Sequence, residues 1–481
     1  MKELNRETSS SQRYTNRVIQ FGEGNFLRAF VDWIIEQMNQ KIDFDCGVTV
    51  VQPIAQGMCD MVNAQDGLYH LVLKGMQNGE ATRTITRIDV INDAINPYSD
   101  FQAYMALAEA LNNRFIVSNT TEAGIAFCET DRFEDSPASS YPGKLTQLLY
   151  RRFEVSGGAA DSGFIILPCE LIDRNGDNLK RVVAQYIDMW SLGDDFSKWV
   201  DESNYFANTL VDRIVPGFPR ETIGEIQEQI GYKDNLVVEG EVFHLWVVEG
   251  DEIIEREFPA NKAGLNVLFA PSMKPYRDRK VGLLNAPHTV LSPVGYLSGL
   301  DTVRECVEDE LIGDYVRRVI YGELLPTLDL PEEELRSFAD SVVERFLNPY
   351  VKHNVTSIML NSFSKFKSRD LPLLKIYKER KGALPEGLVI GLAGILIYYK
   401  GGKRGEDQIT PNDSPEIIEL LNKLWSMGSL ESVVSGVLSA TDIWAEDLTH
   451  VDGLESLLLE KLKVIESSGM KSCVEQYCIN H

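Results

Sequence analysis

The sequence lacks the paired cysteine and histidine spacings that mark metal sites. Its seven cysteines are scattered and odd in number, and no C-x-x-C pair occurs. Its six histidines contain no H-x-x-x-H spacing. Without a disulfide framework or a zinc pattern, we expect reduced thiols, a cytoplasmic location and no metal ion.

Positive charge and long apolar runs are also scarce. Lys and Arg number 47 against 72 Asp and Glu, a formal net charge of −25, which argues against nucleic acid because phosphate binding needs clustered cations. The most apolar run, "EGLVIGLAGILIYYKGG" (386–402), is shorter than the roughly 18 uncharged residues of a membrane span and predicts a buried helix. The opening "MKELNRETSSSQRY" has no apolar core, so we expect no secretory signal and no membrane partner.

The first half of the chain alternates strand-like and helical patterns. A chain of 481 residues predicts two or three domains. Strand–helix alternation predicts an α/β, Rossmann-like domain with a parallel sheet covered on both faces. The predicted strands are 17–22, 47–54, 87–92, 114–121 and 162–170, and the predicted helices include 26–40 and 100–113.

Two further predictions concern the rest of the chain. The run 235–252 is typical of an added antiparallel hairpin. After about residue 275 the patterns show apolar residues three and four apart and no strands, which predicts a mainly α-helical C-terminal domain. With a boundary in "FAPSMKPYRDRK", the domains are predicted as 1–275 and 276–481, and ligand clefts are common at such junctions.

A glycine-rich turn follows the first strand. "RVIQFGEGNFLRAF" places Gly22 and Gly24 between that strand and an apolar-periodic helix, where glycine lets the backbone approach a pyrophosphate. Leu27 replaces the third glycine of G-x-G-x-x-G, so an ordinary strand–helix turn is the alternative. The position at the start of a strand–helix–strand unit favours a dinucleotide site.

The ends of two other strands bear on the same site. The second strand ends at Gln52 rather than at the acidic residue that holds the ribose of NAD, so the choice between NAD and NADP stays open, with the lack of an Arg favouring NAD. The later strand runs into a loop near the expected nicotinamide half, with Ser118, Asn119, Thr120, Thr121 and Glu122. A capped turn is the alternative.

The segment "RKVGLLNAPHTVLSP" (279–293) is apolar except for Lys280, Asn285 and His288. On a helix the three lie within about 140° of arc, so they can face one cleft. Pro287 predicts a kink or a helix start there. The alternative is that the three are satisfied residues on a half-exposed helix.

Together these motifs resemble the polyol-specific long-chain dehydrogenases, the mannitol dehydrogenase family. The resemblance spans essentially the whole chain and rests on "FGEGNFLRAF", "PCELIDRNGD" (168–177), "NTLVDRIVP" (208–216), "KVGLLNAPH" (280–288) and "RFLNPYVKHNVTSI" (345–358). Phe30 stands where members acting on uncharged polyols have His, and "CEL" replaces their "C-[DE]-N". These departures resemble the uronate reductases of the family.

The resemblance implies a zinc-independent hydride transfer that uses NAD. Lys280 would be the general acid and base, and Asn285 and Asn175 would donate hydrogen bonds to the developing alkoxide. His288 would hold a substrate hydroxyl. The implied reaction interconverts D-tagaturonate and D-altronate in hexuronate breakdown, with no metal, by a monomer or small homo-oligomer.

Two larger sets complete the predicted site. The predicted cofactor residues are Val18, Ile19, Gln20, Phe21, Gly22, Glu23, Gly24, Asn25, Phe26, Leu27, Arg28, Ala29, Asn119, Thr120 and Glu122. The predicted substrate residues are Asp212, Arg345, His353, Lys365 and Arg369. Lys365, Lys367 and Arg369 form a basic run that is either a solvated face or a carboxylate anchor. Asp212 with Arg213 is either a local ion pair or a substrate contact, and His353 alone is more often structural.

Three other functions remain open. The nearest is the same chemistry on fructuronate and mannonate, and the next is a mannitol-type reaction on an uncharged ketose. The most distant is a dinucleotide-binding sensor without catalysis. The Lys–Asn–His motif argues against a sensor, which has no use for a proton donor.

Overall fold

The protein folds into two compact units in a computed structural model that describes residues 1–121 and 123–480. The first unit comprises Met1–Gly75 and Thr82–Met273. The second comprises the short segment Met76–Ala81 and the chain from Lys274 onward.

The first unit is built on a six-stranded parallel sheet. Its strands, in chain order, are β1 (Asn16–Phe21), β2 (Gly47–Val51), β3 (Ile91–Ile95), β4 (Phe115–Ser118), β5 (Ile165–Pro168) and β6 (Tyr205–Phe206). Their order across the sheet is β3-β2-β1-β4-β5-β6, and all neighbours are parallel. This is the doubly wound order of dinucleotide-binding domains, so the predicted fold class is confirmed.

Both faces of this sheet are buried, which explains why its strands are apolar runs rather than alternating ones. Val18 of β1 packs into the core on one face, while Ile19 and Phe21 pack into the core on the other. The side chains of β4 also alternate between the faces, with Val117 in the core on the first face and Ile116 in the core on the second. The helices of the unit are Arg6–Ser9, Asn25–Ala29, Val31–Ile42, Cys59–Ala64, Phe101–Glu109, Tyr141–Ser156, Asn175–Met189, Asp194–Ser203, Ile223–Ile230 and Glu252–Glu257, with a 3₁₀ turn at Ala260–Ala263. Side chains of Val31–Ile42 pack into the core on the first face, and side chains of Tyr141–Ser156 pack into the core on the second.

The hairpin predicted at 235–252 is wrong. Val238–Glu241 pairs in parallel with Tyr69–Gln77, in a three-stranded sheet that also contains Glu80–Ile88. Leu245–Glu249 lies in a different sheet, between Asn208–Asp212 and Val267–Ala270. Apolar alternation predicts that each run is a strand, but the pairing partners are distant in sequence. A short parallel pair, Lys2–Glu3 with Tyr232–Lys233, completes the strands of this unit.

The second unit is mainly helical, as predicted. Its α-helices are Lys274–Lys280, Ala286–Leu297, Val303–Glu308, Glu310–Arg318, Glu332–Phe346, Val355–Ile358, Ser362–Lys365, Leu371–Lys381, Glu386–Lys400, Pro415–Ser426, Leu430–Leu438, Thr441–Trp444, Leu454–Ser468 and Met470–Asn480. Two 3₁₀ turns span Leu325–Thr327 and Leu448–His450, and three π-helical segments span Val281–Asn285, Val319–Leu324 and Phe366–Asp370. The prediction that no strands follow residue 275 is wrong in one place, because Gly402–Arg404 and Asp407–Ile409 form a short antiparallel pair.

The apolar run in 386–402 is a buried helix, as predicted. Glu386–Lys400 is buried around nearly its whole circumference and packs against Ala286–Leu297 and Leu454–Ser468. A Cβ added at Gly391 would lie 2.4 Å from the Cβ of Val290, so glycine permits the close approach of two helices there. This packing holds the helix that follows Asn285 in the centre of the unit. No helix in the described part of the chain is long and apolar enough to cross a membrane.

Candidate active site

The glycine-rich turn follows β1 at the carboxyl end of the sheet. Gly22 has a φ of +124°, a conformation that other residues rarely adopt. A Cβ at Gly22 would lie 3.3 Å from Leu27 Cδ1 and 3.4 Å from the Asn119 carbonyl oxygen. A Cβ at Gly24 would meet no atom within 4 Å. The turn is therefore packed against neighbouring protein atoms at Gly22 and has open space beside it at Gly24.

A cavity of about 480 Å³ lies over this turn. It is bounded by the loops that follow β1, β2 and β4, which are the loops at the point where the strand order reverses and where such sheets bind ligands. Its lining comprises Gly22, Glu23, Gly24, Pro53, Ile54, Met58, Asn119, Thr120, Thr121, Ala123, Gly124, Ala126, Phe127, Cys128, Ser139, Ser140 and Tyr141. The residues present fit a dinucleotide, since the glycine turn leaves a cradle and the walls are apolar with a few polar groups.

The predicted cofactor residues divide into two groups. Gly22, Glu23, Gly24, Asn119 and Thr120 line the cavity. The side chains of Val18, Ile19, Phe21, Leu27 and Ala29 are packed in the two cores, and Phe26 packs against one of them. The strand and helix that carry the motif therefore direct these side chains into the cores and away from the cavity. Glu122 lies outside the described residues.

Three polar members of the motif have structural partners instead. Gln20 is buried and donates to the Gly22 carbonyl, 3.1 Å away. Arg28 is buried and donates to the Glu23 carbonyl, to the Leu236 carbonyl and to Asn25. These bonds fix the shape of the turn, so the three residues support the cavity from behind it.

The loop after β4 is held by a buried carboxylate. Glu170 accepts hydrogen bonds from the Ser118 hydroxyl (3.0 Å) and from the backbone N–H and the hydroxyl of Thr120 (both 2.9 Å). Asn119 donates to the Cys169 carbonyl over 2.7 Å. Burial raises the pKa of Glu170, while these hydrogen bonds oppose the increase. The carboxylate of Glu170 thus sets the position of the cavity wall at Thr120.

Asn175 and Asp212 also belong to the first unit. The Asn175 amide group donates to the carbonyls of Pro168, Glu170 and Thr209 at 3.0–3.1 Å, and its oxygen accepts from the Thr209 N–H. The structure directs this amide to backbone carbonyls rather than to a ligand, so its contacts give the predicted alkoxide role no support. Asp212 is buried at the end of the strand Asn208–Asp212. Arg213 donates to the carbonyls of Ala29, Val242 and Phe243 and stacks on Trp33, a structural role.

In the second unit, Lys280 and Asn285 lie at the two ends of a change in helical pitch. The helix Lys274–Lys280 runs directly into the π-helical segment Val281–Asn285 and then into Ala286–Leu297. The Ala286 N–H donates to the Val281 carbonyl, five residues back. Pro287 has no N–H for the Leu283 carbonyl, which favours this irregularity. The predicted kink is thus a π-turn, and it brings Lys280 and Asn285 toward the same side of the helix, where an α-helix would hold them about 140° apart.

His288 follows the π-turn and carries an unpaired nitrogen. Its Nε2 is out of contact with solvent and has no hydrogen-bond partner among the described residues, while the ring hydrogen-bonds the backbone of Leu284. The ring packs against Phe346 at 4.4 Å and against His353 at 4.9 Å between centroids. Burial is the main cause that holds the pKa of His288 well below its ordinary value, and electrostatic interactions with His353, Arg345 and Arg369 act in the same direction. His288 is therefore neutral, with Nδ1 as donor and Nε2 as acceptor.

The predicted cationic residues differ in their surroundings, since two of them lie near His288 and one is bonded to the backbone. Arg345 and Arg369 both act on the electrostatics of His288. Arg369 Nη1 donates to the Thr289 hydroxyl over 3.4 Å, and burial lowers the Arg369 pKa. Lys365 Nζ donates to the Ile358 carbonyl over 2.6 Å. The structure thus brings Arg345, Arg369 and His353 together around His288 and directs Lys365 to the backbone.

Several lining residues escaped prediction. Ile54 and Met58 lie on the loop after β2. In dinucleotide-binding folds this loop is expected near the cofactor, but that expectation does not identify individual residues. Ser139, Ser140 and Tyr141 lie at the start of the helix Tyr141–Ser156, and no local pattern in the sequence indicates their contribution. Among residues 1–121 and 123–480, no three His, Cys, Asp or Glu side chains are grouped as metal ligands.

Each part of the chain matches the model of a known domain family. The profile described as the mannitol dehydrogenase Rossmann domain matches residues 16–262, and that of the mannitol dehydrogenase C-terminal domain matches residues 272–466. The altronate oxidoreductase of Phocaeicola vulgatus is 56% identical over 476 residues, which cover 99% of both chains. That of Bacillus subtilis is 43% identical over 482 residues, covering 100% of this chain and 99% of the relative.

Two solved structures of similar fold cover 98% and 100% of the chain. A substrate-free D-sorbitol dehydrogenase matches with a TM-score of 0.81 at 21% identity, covering 98% of this chain and 100% of that one. The mannitol 2-dehydrogenase of Pseudomonas fluorescens, in a ternary complex with NAD and D-mannitol, matches with a TM-score of 0.66 at 19% identity and 100% coverage of both chains. At these identities the likeness establishes the fold.

Proposed function

The chain belongs to the mannitol dehydrogenase family, and we propose that it catalyses the NAD-dependent interconversion of D-altronate and D-tagaturonate. Support for the substrate comes from full-length relatives that are named altronate oxidoreductases. We further propose that the protein acts in the cytoplasm, in hexuronate breakdown, as a monomer or small homo-oligomer. The two ligands are a small sugar acid and a nicotinamide cofactor.

The first unit holds the cofactor in this proposal. Gly22, Gly24, Asn119 and Thr120 line the cavity, and the open face at Gly24 leaves room for a phosphate group against the backbone. When bound, NAD(H) supplies or accepts the hydride. The buried Glu170 holds the Thr120 side of the cavity in place, and Arg28 and Gln20 hold the glycine turn.

The second unit supplies the proton chemistry. Lys280 gives a proton to the carbonyl oxygen when tagaturonate is reduced, and takes it back when altronate is oxidised. Asn285 donates a hydrogen bond to the same oxygen as its charge develops. The π-turn between the two residues turns both toward one side of the helix, which a single oxygen atom requires.

The observation that carries the proposal is the environment of His288. A neutral imidazole with a buried, unpaired Nε2 can accept a hydrogen bond from a substrate hydroxyl. Arg345 and Arg369, beside the same ring, supply positive charge for a carboxylate in a protein that is acidic overall. A site with both an acceptor for hydroxyls and cations for a carboxylate suits a sugar acid better than a neutral polyol.

Purified protein with NADH and one keto sugar at a time tests the proposal. We expect the highest kcat/KM with D-tagaturonate, a lower value with D-fructuronate and the lowest with D-fructose. In the reverse direction, D-altronate should reduce NAD. Faster turnover of fructuronate or fructose would overturn the substrate assignment, and NADH binding without oxidation by any of the three would indicate a sensor.

A further inference from the structure

The end of β2 lacks the carboxylate that dinucleotide folds usually place there. In such folds an acidic residue at this point hydrogen-bonds the adenosine ribose of NAD, whereas a nearby Arg accepts the 2′-phosphate of NADP. Here the residue is Gln52, and its amide group donates to the carbonyls of Ile54 (2.9 Å) and Ala55 (3.1 Å) in its own loop. Gln52 is buried, so its side chain shapes the loop after β2.

A carboxylate reaches the same loop from the glycine turn. Glu23 Oε1 accepts a hydrogen bond from the Met58 N–H at 3.1 Å. A Cβ at Gly57 would lie 2.2 Å from that oxygen and 2.4 Å from the Gln52 side chain, so Glu23 and Gln52 meet over Gly57. Glu23 is 7% exposed and lines the cavity. Its carboxylate therefore stands beside the end of β2 although it comes from the loop after β1.

We propose that Glu23 is the residue that selects NAD over NADP. The inference rests on the proposed function, since it takes the cavity over the glycine turn as the cofactor site. The carboxylate accepts a hydrogen bond from a ribose hydroxyl and repels a 2′-phosphate, which carries between one and two negative charges. Glu23 thus binds the ribose from the glycine turn, whereas in other dinucleotide folds an acidic residue at the end of the second strand does so.

The charges around Glu23 agree with this selection. Among the described residues that line the cavity there is no Lys or Arg to neutralise a 2′-phosphate. Arg28 is the cation that acts on Glu23, but its guanidinium group is buried and bonded to the Leu236 carbonyl and Asn25. A second negative group placed beside a partly desolvated carboxylate is therefore uncompensated.

Direct binding tests the inference without relying on turnover. NADH, NADPH and adenosine 2′,5′-bisphosphate are titrated calorimetrically into the wild-type protein, Glu23→Gln and Glu170→Gln. The amide oxygen that Glu23→Gln introduces can still accept from the Met58 N–H, so the loop keeps its anchor. Glu170→Gln is the matched control, a second buried carboxylate whose oxygens are bonded to Ser118 and Thr120.

We expect wild-type protein to bind NADH far more tightly than NADPH. Glu23→Gln should reduce that preference by about tenfold or more and strengthen binding of the bisphosphate. Glu170→Gln should change both cofactors alike. A preference that stays within twofold of wild type in Glu23→Gln, or equal wild-type affinities for NADH and NADPH, would overturn the inference. Normal cofactor selection without altronate turnover would instead refute the proposed reaction and leave the role of Glu23 standing.

Discussion

The imidazole rings of His288 and His353 lie 4.9 Å apart between centroids, inclined at 61°. Burial is the largest cause of the lowered pKa of each ring, so neither carries a charge near neutral pH. Arg345 and Arg369 act on the electrostatics of His288, and the two neutral rings add no further positive charge there. His288 Nε2 is thereby kept as an acceptor in a cationic environment.

His288→Ala should raise KM for altronate more than it lowers kcat. Losing one hydrogen bond to a substrate hydroxyl costs on the order of 1 kcal/mol, which corresponds to a rise in KM of about fivefold. Steady-state kinetics with altronate and NAD measures the effect. His450→Ala, an exposed histidine of the same unit, is the control and should behave as wild type. A loss confined to kcat would place His288 in the proton transfer instead.

Lys280→Ala should abolish turnover and leave NADH affinity nearly unchanged. Loss of a general acid typically costs about 10²–10⁴ in rate, and the cofactor cavity belongs to the first unit. Stopped-flow measurement of NADH oxidation and a parallel NADH titration separate the two effects. Lys274→Ala, at the exposed start of the same helix, serves as the control. If Lys280→Ala retains most of its kcat, the lysine is structural.

The two glycines of the turn should respond differently to substitution. Gly22→Val should weaken NADH binding and lower stability, because its φ of +124° and its close neighbours oppose a side chain. Gly24→Ala should weaken NADH binding while leaving the melting temperature near that of wild type, because its Cβ points into open space that a phosphate group would occupy. Gly224→Ala, where a Cβ also meets nothing, is the control. Unchanged NADH affinity in folded Gly24→Ala would move the cofactor elsewhere.

Neutralising a carboxylate anchor should discriminate between an acid and a neutral sugar. We expect Arg345→Met or Arg369→Met to raise KM for tagaturonate far more than for fructose, since an anion that loses its partner costs a few kcal/mol. Lys365→Met should have a smaller effect, because its ammonium group is bonded to the Ile358 carbonyl. Lys367→Met completes the series. Equal changes in KM for both sugars in all four variants would show that the carboxylate is held by other groups.

Asp32 should make the stability of the protein depend on pH. Burial raises its pKa to about 7 from an ordinary value of 3.8. The folded state therefore holds the proton more tightly than the unfolded state, so its contribution is fully present below pH 4 and is lost as the pH rises to 7. The shift corresponds to at most ~4 kcal/mol.

Asp32→Asn removes this dependence without changing the shape of the side chain. We expect the variant to be more stable than wild type at pH 8 and little different at pH 4, as measured by urea unfolding. Asp60→Asn, at an exposed position, is the control and should show no such difference. A stability difference that is the same at both pH values would show that the Asp32 carboxyl group does not titrate in this range.

Local pattern was sufficient for most of the layout of the chain. Apolar runs bounded by turns located β1, β2, β4 and β5, since strands buried on both faces are continuous apolar segments. The run 87–92 overlaps only the start of β3, and the two-residue β6 is too short to leave a pattern. Gly22 and Gly24 indicated the cavity because they join the first strand of the sheet to a helix. Lys280, Asn285 and His288 could be grouped from the sequence because all three lie on one continuous helical segment.

Contacts between distant residues were decided by the tertiary structure. Nothing local in 235–252 indicates that its two strands enter different sheets, because hydrogen-bond partners along a strand edge are chosen by the whole fold. Nothing in "FGEGNF" indicates that Glu23 reaches the loop after β2, since that contact spans 35 residues. The apolar pattern of 279–293 predicts a helix but not its π-turn, which depends on a missing proline N–H and on packing against the neighbouring helices. The sequence by itself determined which residues are candidates for the chemistry, and the tertiary structure decided which of them line the cavity and which are bonded within the protein, because burial and charge at each side chain are set by neighbours that lie far away along the chain.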